Sequence, residues 1–203
     1  LARIADPERK TAIFDAAERL FSARGYHATS VRDIAAEIDR QGASLYAHVG
    51  GKEDILWGVV SRAADEFFAA LAPILAADLP PVEKLRRAIA AHVRVVTSSP
   101  DAATVYLHEW QQLGPARRAA VRRRRDEYEG LLRGLIAAGV ADGSFAPVDP
   151  KFAGLLVLSA VNGVYQWYRP GGALDPEQIA AHLTDLILNG LLPAGKDVRK
   201  ECP

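Results

Sequence analysis

Residues 29–56 read TSVRDIAAEIDRQGASLYAHVGGKEDIL, a close run of hydrogen-bonding side chains on short segments. Ser30 and Arg32 open one segment, Arg40, Gln41 and Gly42 lead out of it, and Ser44, Tyr46 and His48 lie along the next. Lys52 follows at the start of a longer one. These residues form neither a nucleophile–base pair nor a metal-ligand set. The chemistry they suit is hydrogen bonding and charge contact with a polyanion. Gln41 and Ser44 can bond base edges or phosphate oxygens, while Tyr46 and His48 are placed to grip phosphates. Small residues around Gly42 let a duplex approach closely. Lys52 adds positive charge to the free N–H groups of a helix N-terminus, a natural phosphate site, and Ser30 and Arg32 can do the same one helix earlier.

Helical periodicity supplies the elements that must hold these groups. A helix over 31–38 buries Val31, Ile34, Ala35 and Ile38, with Ser30 as its N-cap and Asp33 completing a weak capping box. A second, over about 43–49, buries Leu45 and Val49 and turns its other face outward. With a short turn between them this is a helix-turn-helix, in which the second helix meets the major groove. A preceding helix, 8–24, places Ile13, Ala16, Ala17, Leu20 and Phe21 on one face and stops at Gly25. After Gly50-Gly51 a long helix runs from Lys52 to about 77, and helices follow at roughly 82–98, 101–112, 115–141, 150–168 and 176–191. The expectation is an all-α fold of about nine helices. A three-helix domain over 1–51 is joined through the fourth helix to a larger helical domain over 52–192, with a tail at 193–203.

Composition narrows the class. The chain has 203 residues, 25 basic and 25 acidic, and 49% hydrophobic content, which fits a folded core and excludes a disordered chain. A neutral balance excludes a binder that works through a broad basic field, so any polyanion contact rests on a few placed groups. A lone cysteine, Cys202, excludes a disulfide framework and a Cys-rich metal site. No cofactor signature is present, and the spacing around His108 lacks the second histidine of a zinc-protease motif. No apolar run is long enough for a membrane span, and LARIADPERK lacks a secretion signal's apolar core, so the expectation is a cytoplasmic protein.

The combined pattern resembles the TetR family of bacterial transcriptional regulators. The residues that carry it are Gly25-Tyr26 ahead of Thr29-Ser30, Ile34-Ala35, Leu45-Tyr46-Ala47-His48 and Lys52-Glu53. The chain departs from the family pattern at the turn, where Asp39 and Arg40 stand in place of glycine and an apolar plug. The resemblance implies a homodimer on a palindromic operator, repression as the default, and a ligand cavity in the larger domain. It also implies a dimer interface from the last two long helices, 150–168 and 176–191, where small residues are interspersed with Leu155, Leu156 and Leu186.

For the effector site the candidates are polar or aromatic residues at otherwise apolar positions: His92, Tyr106, Trp110, Tyr128 and Trp167. Arg124 joins them from a run of six arginines between 117 and 125, otherwise read as a solvated, ion-paired face. This run and Trp167-Tyr168-Arg169 resemble the TetR subgroup that controls fatty-acid and related catabolism, which implies an acyl-CoA effector. A free lipid or aromatic molecule is the alternative. Two other classes remain open at this level: a small all-α enzyme using His92, His108 or Glu109, and a helical adaptor with an inactive helix-turn-helix.

Overall fold

The computed structural model describes residues 7–38 and 50–189, and among them every regular element is helical. Helix α1 (Pro7–Arg24) buries Ile13, Ala16, Ala17, Leu20 and Phe21, the face its spacing predicts, and Phe14 beside them. It ends at Gly25, whose φ of 81° lies in the left-handed region that glycine enters without a Cβ clash. Helix α2 (Val31–Ile38) sinks Ile34 completely and rests Val31, Ala35 and Ile38 against the same core. The predicted capping box is formed: Asp33 N–H donates to Ser30 Oγ at 3.1 Å and Ser30 N–H donates to Asp33 Oδ2 at 2.7 Å. The predicted helix over 43–49 lies outside the described residues.

Helix α3 (Lys52–Ala76) is the spine. Its buried stripe runs from Ile55 and Leu56 through Val59, Val60, Ala63 and Ala64 to Phe67 and Leu71, and it packs against α1, α4 (Pro81–Ser98) and α5 (Pro100–His108). Helix α6 (Pro115–Ala141) packs on α3 and α4, α7 (Pro150–Asn162) lies along α6, and α9 (Pro176–Asn189) covers α4. The N-terminal unit is not tethered by α3 alone, because α1 also packs directly on α5.

Two predicted helices are each broken in two. The 101–112 stretch is α5 followed by a 3₁₀ turn over Glu109–Gln112, which tightens ahead of Gly114-Pro115, where the residue before proline disfavours the α conformation. The 150–168 stretch is interrupted at Gly163, beyond which α8 (Val164–Trp167) makes one turn. The division of apolar residues on these helices is informative. Val161, Val164 and Ile179 are buried in the chain's own core, while Phe152, Leu156 and Leu186 stand 74%, 58% and 52% exposed.

The α1–α3 seam depends on a glycine. The ring of Phe14 lies directly over Gly58, where an added Cβ would overlap it, and Arg62 ties the same two helices by ion pairs to Asp15 (2.6 Å) and the buried Glu18. Gly58→Ala is therefore expected to destabilise the protein by about 1–3 kcal/mol through overpacking. That loss outweighs the helix-propensity gain of up to ~1 kcal/mol that alanine brings. Urea denaturation checks this; a more stable variant would contradict the packing.

Candidate functional site

The first part of the site is the turn between α1 and α2. Thr29 is buried, and its hydroxyl donates to Gly25 O at 2.9 Å and to Leu20 O at 3.3 Å, so this motif threonine staples the turn. Lys52 reaches over from α3. Its ammonium donates to Tyr26 O and Thr29 O, both at 2.8 Å, and stands 4.2 Å from the centroid of the Tyr26 ring. Two of its three N–H groups thus hold backbone carbonyls. Ser30 and Arg32 are exposed at the start of α2. Hydrogen bonds from Ser30 hold the Asp33 carboxyl below its ordinary pKa, so the cap stays charged. Arg40, Gln41, Gly42, Ser44, Tyr46 and His48 lie outside the described residues.

The second part is a cavity in the larger half, lined by Phe67, His92, Tyr106, Leu107, Arg125, Tyr128, Leu158 and Asn162. Three predicted candidates, His92, Tyr106 and Tyr128, meet here. They do so because α4, α5 and α6 each turn one of these side chains toward Phe67 of α3, whose ring centroid lies 4.6 Å from that of His92, 5.3 Å from that of Tyr106 and 5.9 Å from that of Tyr128. His92 Nδ1 is 3.0 Å from the Tyr128 hydroxyl and Nε2 is 3.0 Å from Asn162 Oδ1. With the amide oxygen at Nε2, the imidazole donates to Asn162 and accepts from Tyr128. Complete burial lowers the His92 pKa to about 4, so the ring is neutral. Burial also pushes both tyrosine hydroxyls above their ordinary range.

The other candidates sit elsewhere. Arg124 turns away from the cavity, donating to Asp65 at 2.7 Å with its guanidinium over the Phe68 ring, and the position in the cavity belongs to Arg125. Trp167 is half exposed on α8 and borders a separate groove with Tyr168, Arg169 and Leu174. Trp110 stands behind the cavity wall, against the guanidinium of Arg125. The groups considered for an enzyme are dispersed onto separate partners: His92 as above, His108 on the Tyr165 hydroxyl and Glu109 on the Tyr26 amide. Among the described residues no group of acidic, histidine or cysteine side chains is arranged to hold a metal ion.

Sequence reading missed the connection between the two parts. In a 3₁₀ turn the side chains at i and i+3 eclipse, so Glu109 and Gln112 point the same way. Glu109 accepts from Tyr26 N–H at 3.0 Å, and Gln112 Oε1 meets His27 Nε2 at 2.7 Å. Between them Trp110 faces Arg125, with the guanidinium carbon 5.6 Å from its ring centroid. Beside this turn Arg117 pairs with Asp54 and with Glu53 at 3.4 Å, and Glu53 also accepts from Gly114 N–H at 3.1 Å. One four-residue turn therefore touches both the cavity wall and the turn between α1 and α2. Arg125 was findable. It lies four residues after Val121 and three before Tyr128, on the stripe that continues through Leu132 and Leu135.

The fold defines a class: an all-helical chain whose α1–α2 unit is packed on the helices of a larger half that holds a cavity. Residues 13–57 match the family model for bacterial regulatory proteins of the tetR family, and residues 78–191 match that for the tetracyclin repressor-like C-terminal domain. The chain belongs to the TetR family of DNA-binding transcriptional regulators. It is 30% identical to the transcriptional repressor KstR2 of Rhodococcus jostii over 90% of this chain and 91% of that one. It is also similar to the solved structure of PfmR from Thermus thermophilus, with 36% identity, 89% and 99% of the two chains covered and a TM-score of 0.82. AibR, solved in complex with isovaleryl coenzyme A and operator DNA, is 31% identical over 89% and 98% of the two chains, with a TM-score of 0.80. No helix among the described residues is long and apolar enough to cross a membrane.

Two outcomes follow from this geometry. Glu109→Ala is expected to cost about 1–3 kcal/mol by leaving the Tyr26 amide without its partner, and Glu109→Gln, which keeps an acceptor oxygen, less. Equal losses in urea denaturation would contradict the assigned bond. His92 binds its proton near pH 6.5 when unfolded and near 4 when folded, so the unfolded state takes up more protons in between. Stability is then full above pH 6.5 and falls by up to roughly 3 kcal/mol as pH drops toward 4. His92→Gln should remove that part of the slope, and an unchanged slope would show that other groups cause it.

Proposed function

We propose that the protein is a homodimeric repressor that occupies a palindromic operator and leaves it when a small effector enters the α4–α6 cavity. The observation that carries this reading is the Glu109–Gln112 turn, which bonds the DNA-facing unit on one side and backs the cavity wall on the other. In this reading residues 1–51 are the DNA-binding domain and 52–192 the sensor and dimerisation domain. Ser30, Arg32, Arg40, Gln41, Gly42, Ser44, Tyr46, His48 and Lys52 contact DNA. His92, Tyr106 and Tyr128 face the effector, and Trp110 backs them.

The mechanism is a population shift. The cavity has room of about 40 Å³, enough for roughly three waters. An effector larger than that binds only a state in which the helices around the cavity, α3–α7, have moved apart. Such a state displaces the 3₁₀ turn and with it the Tyr26 turn and the start of α3. Across a dimer, the shift in α3 changes the separation of the two recognition helices and takes them out of register with their half-sites. The occupied cavity and the bound operator then oppose one another by a reciprocal coupling free energy. The exposed Phe152, Leu155 and Leu156 on α7, with Leu186 on α9, support dimerisation through this face. The AibR complex supports an acyl-CoA as the effector, with a free lipid or aromatic molecule as the alternative. In this reading the protein acts in the cytoplasm and is not an enzyme, its histidines and Glu109 serving structure and sensing.

Selection of bound fragments from bacterial genomic DNA, followed by fluorescence anisotropy, tests this. The wild type should enrich a palindrome, and Tyr46→Ala with His48→Ala should lose at least about tenfold in affinity, as lost phosphate contacts imply. Leu156→Arg should sediment as a monomer with weakened operator binding. Enrichment of no sequence would overturn the DNA-binding reading, and a dimeric Leu156→Arg the interface.

A further inference from the structure

Arg125 differs from the other arginines of its run. Arg117 pairs with Asp54 and Glu53, Arg124 with Asp65, and Arg118, Arg122 and Arg123 are exposed to solvent. Arg125 points into the cavity, its guanidinium carbon 5.4 Å from the Tyr106 ring centroid and 5.6 Å from that of Trp110. Its Nη1 is buried with no hydrogen-bond partner among the described residues. None of the cavity-lining residues is a carboxylate. Glu129, one helical turn further along α6, lies 3.6 Å from Arg133, and its buried Oε1 likewise has no hydrogen-bond partner among the described residues, but Glu129 does not line the cavity. His92 is neutral and already engaged by Tyr128 and Asn162, so it neither supplies nor cancels charge. A buried cationic donor without an acceptor is costly, and aromatic faces offset only part of that cost.

We propose that the cavity receives the carboxylate of a small organic acid, with Arg125 as its counter-ion. This rests on the reading of the cavity as the effector site and names the chemistry of its ligand. A carboxylate supplies the acceptor that Nη1 lacks and matches the planar guanidinium fork. Its three heavy atoms suit the room of about 40 Å³. Phe67, Leu107 and Leu158 offer an apolar surface for the rest of the acid. A thioester carbonyl at the same place accepts a hydrogen bond from Nη1 but leaves the guanidinium charge unpaired, whereas the free acid supplies both acceptor and charge. Within the effector reading this selects the free acid over its coenzyme A ester. Pairing with the carboxylate also draws the guanidinium from the Trp110 face, the contact that connects the cavity wall to the Glu109–Gln112 turn.

The test uses the full-length protein and three forms of one acyl group: isovalerate, isovaleramide and isovaleryl coenzyme A, with benzoate and benzamide as an aromatic pair. Binding is read by calorimetry and by the Trp110-dependent fluorescence change, taken as the difference from Trp110→Phe. The carboxylates are expected to bind the wild type and the amides not. Arg125→Gln should weaken carboxylate binding about ten- to hundredfold, the range for a lost hydrogen bond to a charged group, while Arg124→Gln leaves it unchanged. Equal binding of acid and amide overturns the proposal without any variant, so it stays testable even where Arg125→Gln folds poorly. Binding that survives in Arg125→Gln also overturns it. Release of operator DNA by isovaleryl coenzyme A, with no binding of either free acid, overturns this proposal and leaves the effector reading standing. Binding of the acids without any effect on operator affinity supports the carboxylate site and overturns the effector reading.

Discussion

The turn from Gly25 to Ser30 makes an N–H and two carbonyl groups whose partners come from distant parts of the chain. Backbone polar groups removed from water must be paired, and here the partners are Lys52 for the carbonyls of Tyr26 and Thr29 and Glu109 for the Tyr26 amide. That requirement fixes the N-terminal unit in two directions at once. Lys52 binds it to the first residue of the spine helix, and Glu109 binds it to the turn that backs the cavity. The packing of α1 on α5 and the Arg117 pairs with Asp54 and Glu53 reinforce the same junction. The cavity wall therefore has a short bonded route to the turn between α1 and α2.

The electrostatics are local. A chain with 25 basic and 25 acidic residues has no broad field to attract DNA, and the arginine run on α6 is largely spent on carboxylates or exposed to solvent. Individual placed charges stand out among the described residues, namely the Asp33 cap at the start of α2, the Lys52 ammonium above the turn, and Arg125 at the cavity. His92 is the counterpart. Burial keeps it neutral, and it bonds Tyr128 and Asn162 without adding charge to the cavity.

What was legible in the sequence was local. The buried face of α1, the Ser30–Asp33 capping box and the stop at Gly25 follow from spacing within a few residues, and the structure has them as read. His92, Tyr106 and Tyr128 were found because polar aromatics on apolar faces stand out even when their partners are unknown. The junction was not legible: Glu109 and Gln112 meet Tyr26 and His27 across separations of 83 and 85 residues, and no local pattern encodes those pairs. Arg124 was chosen over Arg125 because adjacent arginines look alike until the helical phase is counted from Val121 and Tyr128. The 3₁₀ turn was hidden too, since a continuous amphipathic reading of 101–112 gives no sign that the last four residues tighten.

Amide hydrogen exchange at Tyr26 tests most directly whether the cavity reaches the DNA-binding unit through the Glu109–Gln112 turn. In the free protein the Tyr26 amide, held by Glu109, should be protected. Trp110→Ala, which cuts the contact between the cavity wall and the turn without touching the Glu109 side chain, should speed Tyr26 exchange while the Thr29 and Asp33 amides keep theirs. An effector that fills the cavity should do the same in the wild type. Unchanged exchange at Tyr26 in both cases would contradict the account and place the coupling in another part of the fold.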